Sequence, residues 1–190
     1  MNSIKMHPEL IKFIEYIDML VKNKKETEVS ITQKVAVRMK EIMFKDEVIP
    51  EIYRKPNPNK YTLYPVYVAP DNSFSIASAV WDVGQSTPIH NHGTWGVIGI
   101  VQGGEHEIHY EVTSGAAPVK ISEQTLEKGD VVVCCTSDQD IHKVSCATKE
   151  PCVGIHVYGG NIGEIERRVF DPLTGVDTMV VTAWDAVPNE

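Results

Sequence analysis

Apolar positions change their rhythm once along this chain. Leu10, Ile11, Phe13, Ile14, Ile17, Leu20 and Val21 recur at helical spacing, and so do Val35, Val37, Met39, Ile42 and Met43. Ser30 followed by Gln33 has the form of a capping box ahead of the second stripe, and Asp46 suits the cap of a third, short helix. The run Lys55-Pro-Asn-Pro-Asn then ends the helical texture. From Tyr61 onward Val, Ile, Thr and Tyr gather in short runs, which predict strands over 61–68, 74–82, 95–101, 105–112, 119–124, 130–135, 141–147, 152–158, 166–170 and 178–182. Asp71-Asn72, Gly103-Gly104, Ser114-Gly115 and Lys128-Gly129-Asp130 supply turns between them. Many short strands without intervening helices mean a sandwich or barrel. The expected organisation is one all-β domain over 1–190, with a helical N-terminal cap over 1–56 and a β-barrel body over 57–185.

Composition narrows the function classes. The chain has 190 residues, enough for a real core, and its net charge of −8 argues against a nucleic-acid partner. No apolar stretch reaches membrane-spanning length and no secretory signal is visible, which predicts a cytoplasmic protein away from membranes. The four cysteines, Cys134, Cys135, Cys146 and Cys152, form no Cys-x-x-Cys pair and read as reduced packing residues, with Cys134 and Cys135 on opposite faces of a strand. Whether the chain is a monomer or a homo-oligomer stays open.

The seven histidines carry the candidate chemistry. His90 and His92 stand one apart in Pro88-Ile-His-Asn-His-Gly-Thr-Trp-Gly, so on a strand they face the same way. His142 lies in an apolar strand about fifty residues later. Three buried histidines without partners would be costly, whereas three neutral imidazoles in a barrel mouth suit a divalent transition metal; the bland alternative is a satisfied core histidine at 142. His7, His106 and His109 read as surface or exposed-edge residues. On the strand around His156, alternation puts Gly154, His156 and Tyr158 on one face.

Gly84, His90, His92 and Gly103 resemble the first motif of the cupin superfamily, and Lys128-Gly129-Asp130 with His142 resembles the second. The resemblance implies a double-stranded β-helix with a metal at its mouth. The glutamate usual in the first motif is absent, since Gly93-Thr-Trp-Gly-Val97 holds no acid. A cupin site without that carboxylate is similar to the thiol dioxygenases, which include cysteine dioxygenase and 3-mercaptopropionate dioxygenase. The segments Phe74–Gln85, Pro88–Gly99, Asp140–Ser145 and Ile155–Gly163 look like the bacterial mercaptopropionate branch.

That resemblance implies Fe(2+) on His90, His92 and His142, a small thiol and O2 as substrates, and a sulfinate product. It also implies catalytic roles for His156 and Tyr158, with Gly154 where the family carries a serine. Gly96 replaces the cysteine that animal enzymes link to the tyrosine, so no thioether is expected. Leu63 occupies the place of the family's carboxylate-binding Arg or Gln, leaving Arg167 as the candidate substrate-binding residue or an ordinary surface ion pair. Two other readings remain at this stage: a carbon–carbon-cleaving cupin oxygenase acting on a diketone-like compound, and a non-catalytic cupin that binds a metal or small molecule.

Overall fold

Both apolar stripes fold as helices in the computed structural model, which describes residues 5–45, 47–134 and 140–188. Helix α1 spans Pro8–Lys22, with proline in the first turn and the His7 ring accepting a hydrogen bond from the Glu9 amide. His7 is thus a cap rather than a bare surface residue. Helix α2 spans Glu28–Ile42 and begins earlier than the Ser30–Gln33 pattern implies. Thr27 is its cap, accepting from the Ser30 amide at 3.2 Å, so Ser30 lies inside the first turn. A short 3-10 turn follows at Glu51–Arg54; the expected cap at Asp46 lies outside the described residues.

The remainder is strand and turn. The strands are β1 (Thr62–Val68), β2 (Ser75–Trp81), β3 (Ile89–His90), β4 (Gly96–Gln102), β5 (Gly104–Glu111), β6 (Val119–Glu127), β7 (Val131–Cys134), β8 (His142–Cys146), β9 (Cys152–Tyr158), β10 (Glu166–Phe170) and β11 (Asp177–Val181). They form two antiparallel sheets, one ordered β1-β2-β9-β4-β7 and the other β11-β10-β3-β8-β5-β6. Consecutive strands alternate between sheets along much of the chain, which is the cupin double-stranded β-helix. β3 is the strand that hydrophobic patterning misses, because two residues make no run.

Strands β2 and β9 of the first sheet are buried on both faces. On β9, Val153, Ile155 and Val157 join Phe13, Ile17, Val35 and Met39 in the core between the sheet and the helices. Cys152 and Tyr158, from the alternate positions of β9, pack with Leu63, Ala77, Ala79 and Trp81 inside the barrel. Each aliphatic side chain buried this way contributes about 1.5–3 kcal/mol. The helices therefore wall one sheet rather than cap an end. Burial of its outer face frees the inner face to carry polar groups.

Two sequence expectations about cysteine and histidine are overturned here. Cys146 and Cys152 form a disulfide across the 147–151 turn, joining β8 of one sheet to β9 of the other, so they are not reduced thiols. That removes the cysteine argument for a reducing compartment. Cys135, expected opposite Cys134 on a strand, lies outside the described residues. β5 is an interior strand between β8 and β6, so His106 and His109 are not edge residues. Among the described residues, no helix is long and apolar enough to cross a membrane.

Candidate metal centre

His90, His92 and His142 converge. A ligand nitrogen from each lies within 4.8 Å of the other two, and all three side chains are buried. Ring centroids are 5.0 Å apart for His90 and His92, 4.7 Å for His90 and His142, and 4.8 Å for His92 and His142.

Strand alternation is not what brings His90 and His92 together, because the strand stops at His90. His90 pairs in register with His142 across β3 and β8. Asn91 then turns away and ties the chain to β10: its amide donates to the Arg168 carbonyl at 3.1 Å and its Oδ1 accepts from the Arg168 amide at 2.8 Å. That clamp sets His92 back toward the same point. Gly93 follows with φ +67, and a methyl on it would lie 3.2 Å from the Glu166 carbonyl oxygen, so glycine suits this turn.

Two of the rings, His90 and His142, are held by the far nitrogen. His90 Nδ1 donates to the Pro88 carbonyl at 3.0 Å, which leaves Nε2 as the lone-pair atom. His142 Nδ1 donates to the Glu107 carboxylate, while its Nε2 is buried without a hydrogen-bond partner. A buried orphan nitrogen aimed among two other imidazoles fits a divalent metal. Burial above all, then the neighbouring His142, holds the His90 and His92 imidazoles well below their ordinary range, so both are neutral donors.

Glu107 is a site residue that the sequence reading missed. Burial pushes its carboxyl up, but hydrogen bonds from His142 and Gln124 and the attraction of His142 outweigh this and hold it at about 2. Gln124 Nε2 donates at 2.8 Å. His109 lies 3.3 Å from Glu107 and 3.4 Å from Asp140, beside the site rather than on an exposed edge. The missed signal was the spacing Glu105-x-Glu107-x-His109, which puts two carboxyls and an imidazole on one face of β5.

His156 and Tyr158 sit in the same cavity, from the inner face of β9. His156 Nδ1 is 2.9 Å from the Tyr158 hydroxyl, and the Tyr158 ring centroid is 5.2 Å from that of His92. Gly96 makes room for this ring: a methyl there would lie 2.8 Å from Cys134 Sγ and 3.4 Å from the tyrosine ring. Arg167 also lines the cavity, at 5% exposure. Alternation on β10 turns Arg167 inward and Arg168 outward, where Arg168 reaches Asp177 at 3.6 Å. Arg167 has no ion-pair or hydrogen-bond partner for its guanidinium among the described residues, so it is not a surface ion pair.

Most of the remaining wall is apolar and includes Leu63, Ala79, Trp81, Ile98, Leu126 and Val144, with Thr87 and Glu105 as polar members. The cavity has a volume of about 40 Å³. Three imidazoles, the Glu105 and Glu107 carboxyls, the Arg167 guanidinium and the His156–Tyr158 pair face this space. Such a set can hold a metal, neutralise an anion and move a proton beside them.

No known family profile matches the chain. Solved structures align with part of this chain at low identity. A Thermus thermophilus protein aligns over 58% of this chain and 92% of its own, with 18% identity and a TM-score of 0.44. A Klebsiella pneumoniae protein with a double-stranded β-helix domain aligns over 68% and 91%, with 15% identity and a TM-score of 0.44. The DMSP lyase DddQ of Ruegeria pomeroyi aligns over 60% and 53%, with 17% identity and a TM-score of 0.44. The strand order and register carry the fold assignment: this chain is a cupin-type double-stranded β-helix with a buried three-histidine cluster suited to a metal.

Proposed function

We propose that the protein is a non-haem iron(II) thiol dioxygenase that oxidises a small anionic thiol, 3-mercaptopropionate- or cysteine-like, to its sulfinate. One observation carries the reading: the three-histidine cluster and a buried, unpaired arginine share one cavity. Without a carboxylate among the ligands, a divalent ion there keeps its full +2 charge, which favours an anionic sulfur ligand.

Iron(II) held by His90, His92 and His142 would supply the Lewis acidity that deprotonates a thiol and the redox chemistry that activates dioxygen. The overall change adds both oxygen atoms of O2 to sulfur and releases the thiol proton, which takes the sulfur to the sulfinate level of the cysteine oxidation ladder. The chain supplies the remainder. Arg167 neutralises the anionic group at the far end of the substrate. His156 and Tyr158 hold a proton beside the ligand cluster, and the apolar wall keeps water scarce.

The test is oxygen uptake by iron-reconstituted protein with a panel of small thiols, with the product identified by mass. Uptake that requires thiol, stops on chelation, returns with iron(II) and yields a product heavier by two oxygens is expected. No uptake across the panel by iron-loaded protein defeats the reading. The apolar wall favours one other reading, a carbon–carbon-cleaving oxygenase acting on a diketone-like compound, for which the same assay gives scission products instead.

A further inference from the structure

Two of the buried polar atoms that lack a hydrogen-bond partner lie against each other. Glu105 Oε1 and His156 Nε2 are sealed from solvent, and neither makes a hydrogen bond. They belong to strands of different sheets, β5 and β9, and face each other 3.8 Å apart. Gly154 sits against both. A methyl at Gly154 would lie 2.5 Å from His156 Nε2 and 2.7 Å from Glu105 Oε1, so any side chain there collides with the pair. The glycine leaves a space on β9 that a carboxyl fills from the opposite sheet.

The same strand shows what such a carboxyl does. Glu107, two residues on and on the same face of β5, accepts from the Nδ1 of the metal-ligating His142. Glu105 stands in the equivalent relation to His156, whose other nitrogen lies 2.9 Å from the Tyr158 hydroxyl. Carboxyl, imidazole and phenol thus form a line that ends beside His92. Glu105 belongs to no group of ligand atoms that could hold a metal among the described residues.

We propose that Glu105 is the positioning residue for His156. Its carboxylate accepts a hydrogen bond from His156 Nε2–H across the space left by Gly154, and this fixes the imidazole so that Nδ1 accepts the Tyr158 hydroxyl proton. Closing 3.8 Å to a hydrogen bond takes a shift of about 1 Å, with no side chain from Gly154 in the way. The imidazole is then held from both ends, and the Tyr158 hydroxyl keeps one orientation beside the ligand cluster. The catalytic consequence rests on the thiol dioxygenase reading; the Glu105–His156 contact does not.

The contact is tested on metal-free, 15N-histidine-labelled protein. The His156 Nε2–H resonance is expected downfield and protected from solvent exchange. Glu105→Leu moves it upfield or loses it to exchange, while the His90 Nδ1–H resonance stays. Glu105→Gln, which keeps an acceptor oxygen in the same place, retains most of the shift. In iron-loaded protein, Glu105→Leu lowers kcat about 10- to 100-fold with KM and iron content unchanged, and Glu105→Gln falls between. An unmoved His156 resonance in Glu105→Leu overturns the proposal, as does iron content that falls in step with kcat. A wild-type protein that consumes no oxygen with any thiol ends the catalytic part, while the resonance still decides the contact.

Discussion

His90 and His142 stand directly opposite each other in the register of β3 and β8, with ring centroids 4.7 Å apart. A single pair of facing residues thus builds two thirds of the cluster, and His92 completes it from the turn beyond. The rings lie on the inner face of the barrel, apart from the core that joins the helices to the first sheet.

Removing one ring should therefore cost metal and spare the fold. His90→Ala, His92→Ala and His142→Ala are each expected to abolish iron retention, read as metal content after dialysis, with an unchanged far-ultraviolet spectrum. Iron that stays bound in all three variants identifies the wrong ligands.

Glu107 holds His142 by its far nitrogen, so its loss acts on the metal at one remove. Glu107→Ala frees the His142 ring and removes a charge that raises its basicity. Metal affinity is expected to fall about 10- to 100-fold, measured by competition with a chelator. An unchanged affinity would show that packing alone fixes the ring.

Much of this was legible in the chain. The strand pattern, the helical opening and the separation of His142 from the His90–His92 pair all follow from residue type and period. What escaped needed contacts between distant strands. Glu105 and Glu107 read as ordinary strand acids until β8 and β9 bring His142 and His156 to them. The Cys146–Cys152 bond depends on two sheets meeting at one turn, which no spacing announces. Strand β3 is too short to pattern, and the convergence at His92 depends on Asn91 gripping the backbone of β10.

The depressed imidazoles set the pH response of the metal-free protein. His90 and His92 stay neutral when folded, while in the unfolded chain they take up protons near the ordinary value of 6.5. Below that value the unfolded state binds more protons, so stability is present above 6.5 and is lost as pH falls. The slope approaches about 1.4 kcal/mol per pH unit for each histidine. Glu107 adds a loss of the same sign only from 4.5 down toward 2. Thermal melts of metal-free protein at pH 7.5 and 5.5 should show a clear drop in Tm at the lower value. A flat profile would mean that both rings protonate without unfolding.

Tyr158 touches the cluster through its ring and His156 through its hydroxyl. Tyr158→Phe keeps the ring and removes the hydroxyl. Iron content should hold while kcat falls about 10- to 100-fold. Equal loss of iron and rate would assign the tyrosine to packing.

Arg167 is the costly residue of the cavity, a buried guanidinium with no partner for its charge among the described residues. Such a cation is unfavourable in the empty site and favourable once an anion arrives. Replacing it with methionine, similar in length and uncharged, should act in two directions. Metal-free Arg167→Met should melt at a higher temperature than wild type, because an uncompensated charge leaves the interior. A charge-assisted hydrogen bond is worth about 1.5–3 kcal/mol, so KM for 3-mercaptopropionate should rise about 10- to 100-fold. Cysteamine carries an ammonium instead of a carboxylate, and its KM should hold or fall. Equal increases for both thiols would show that Arg167 shapes the cavity and does not read the charge of its ligand.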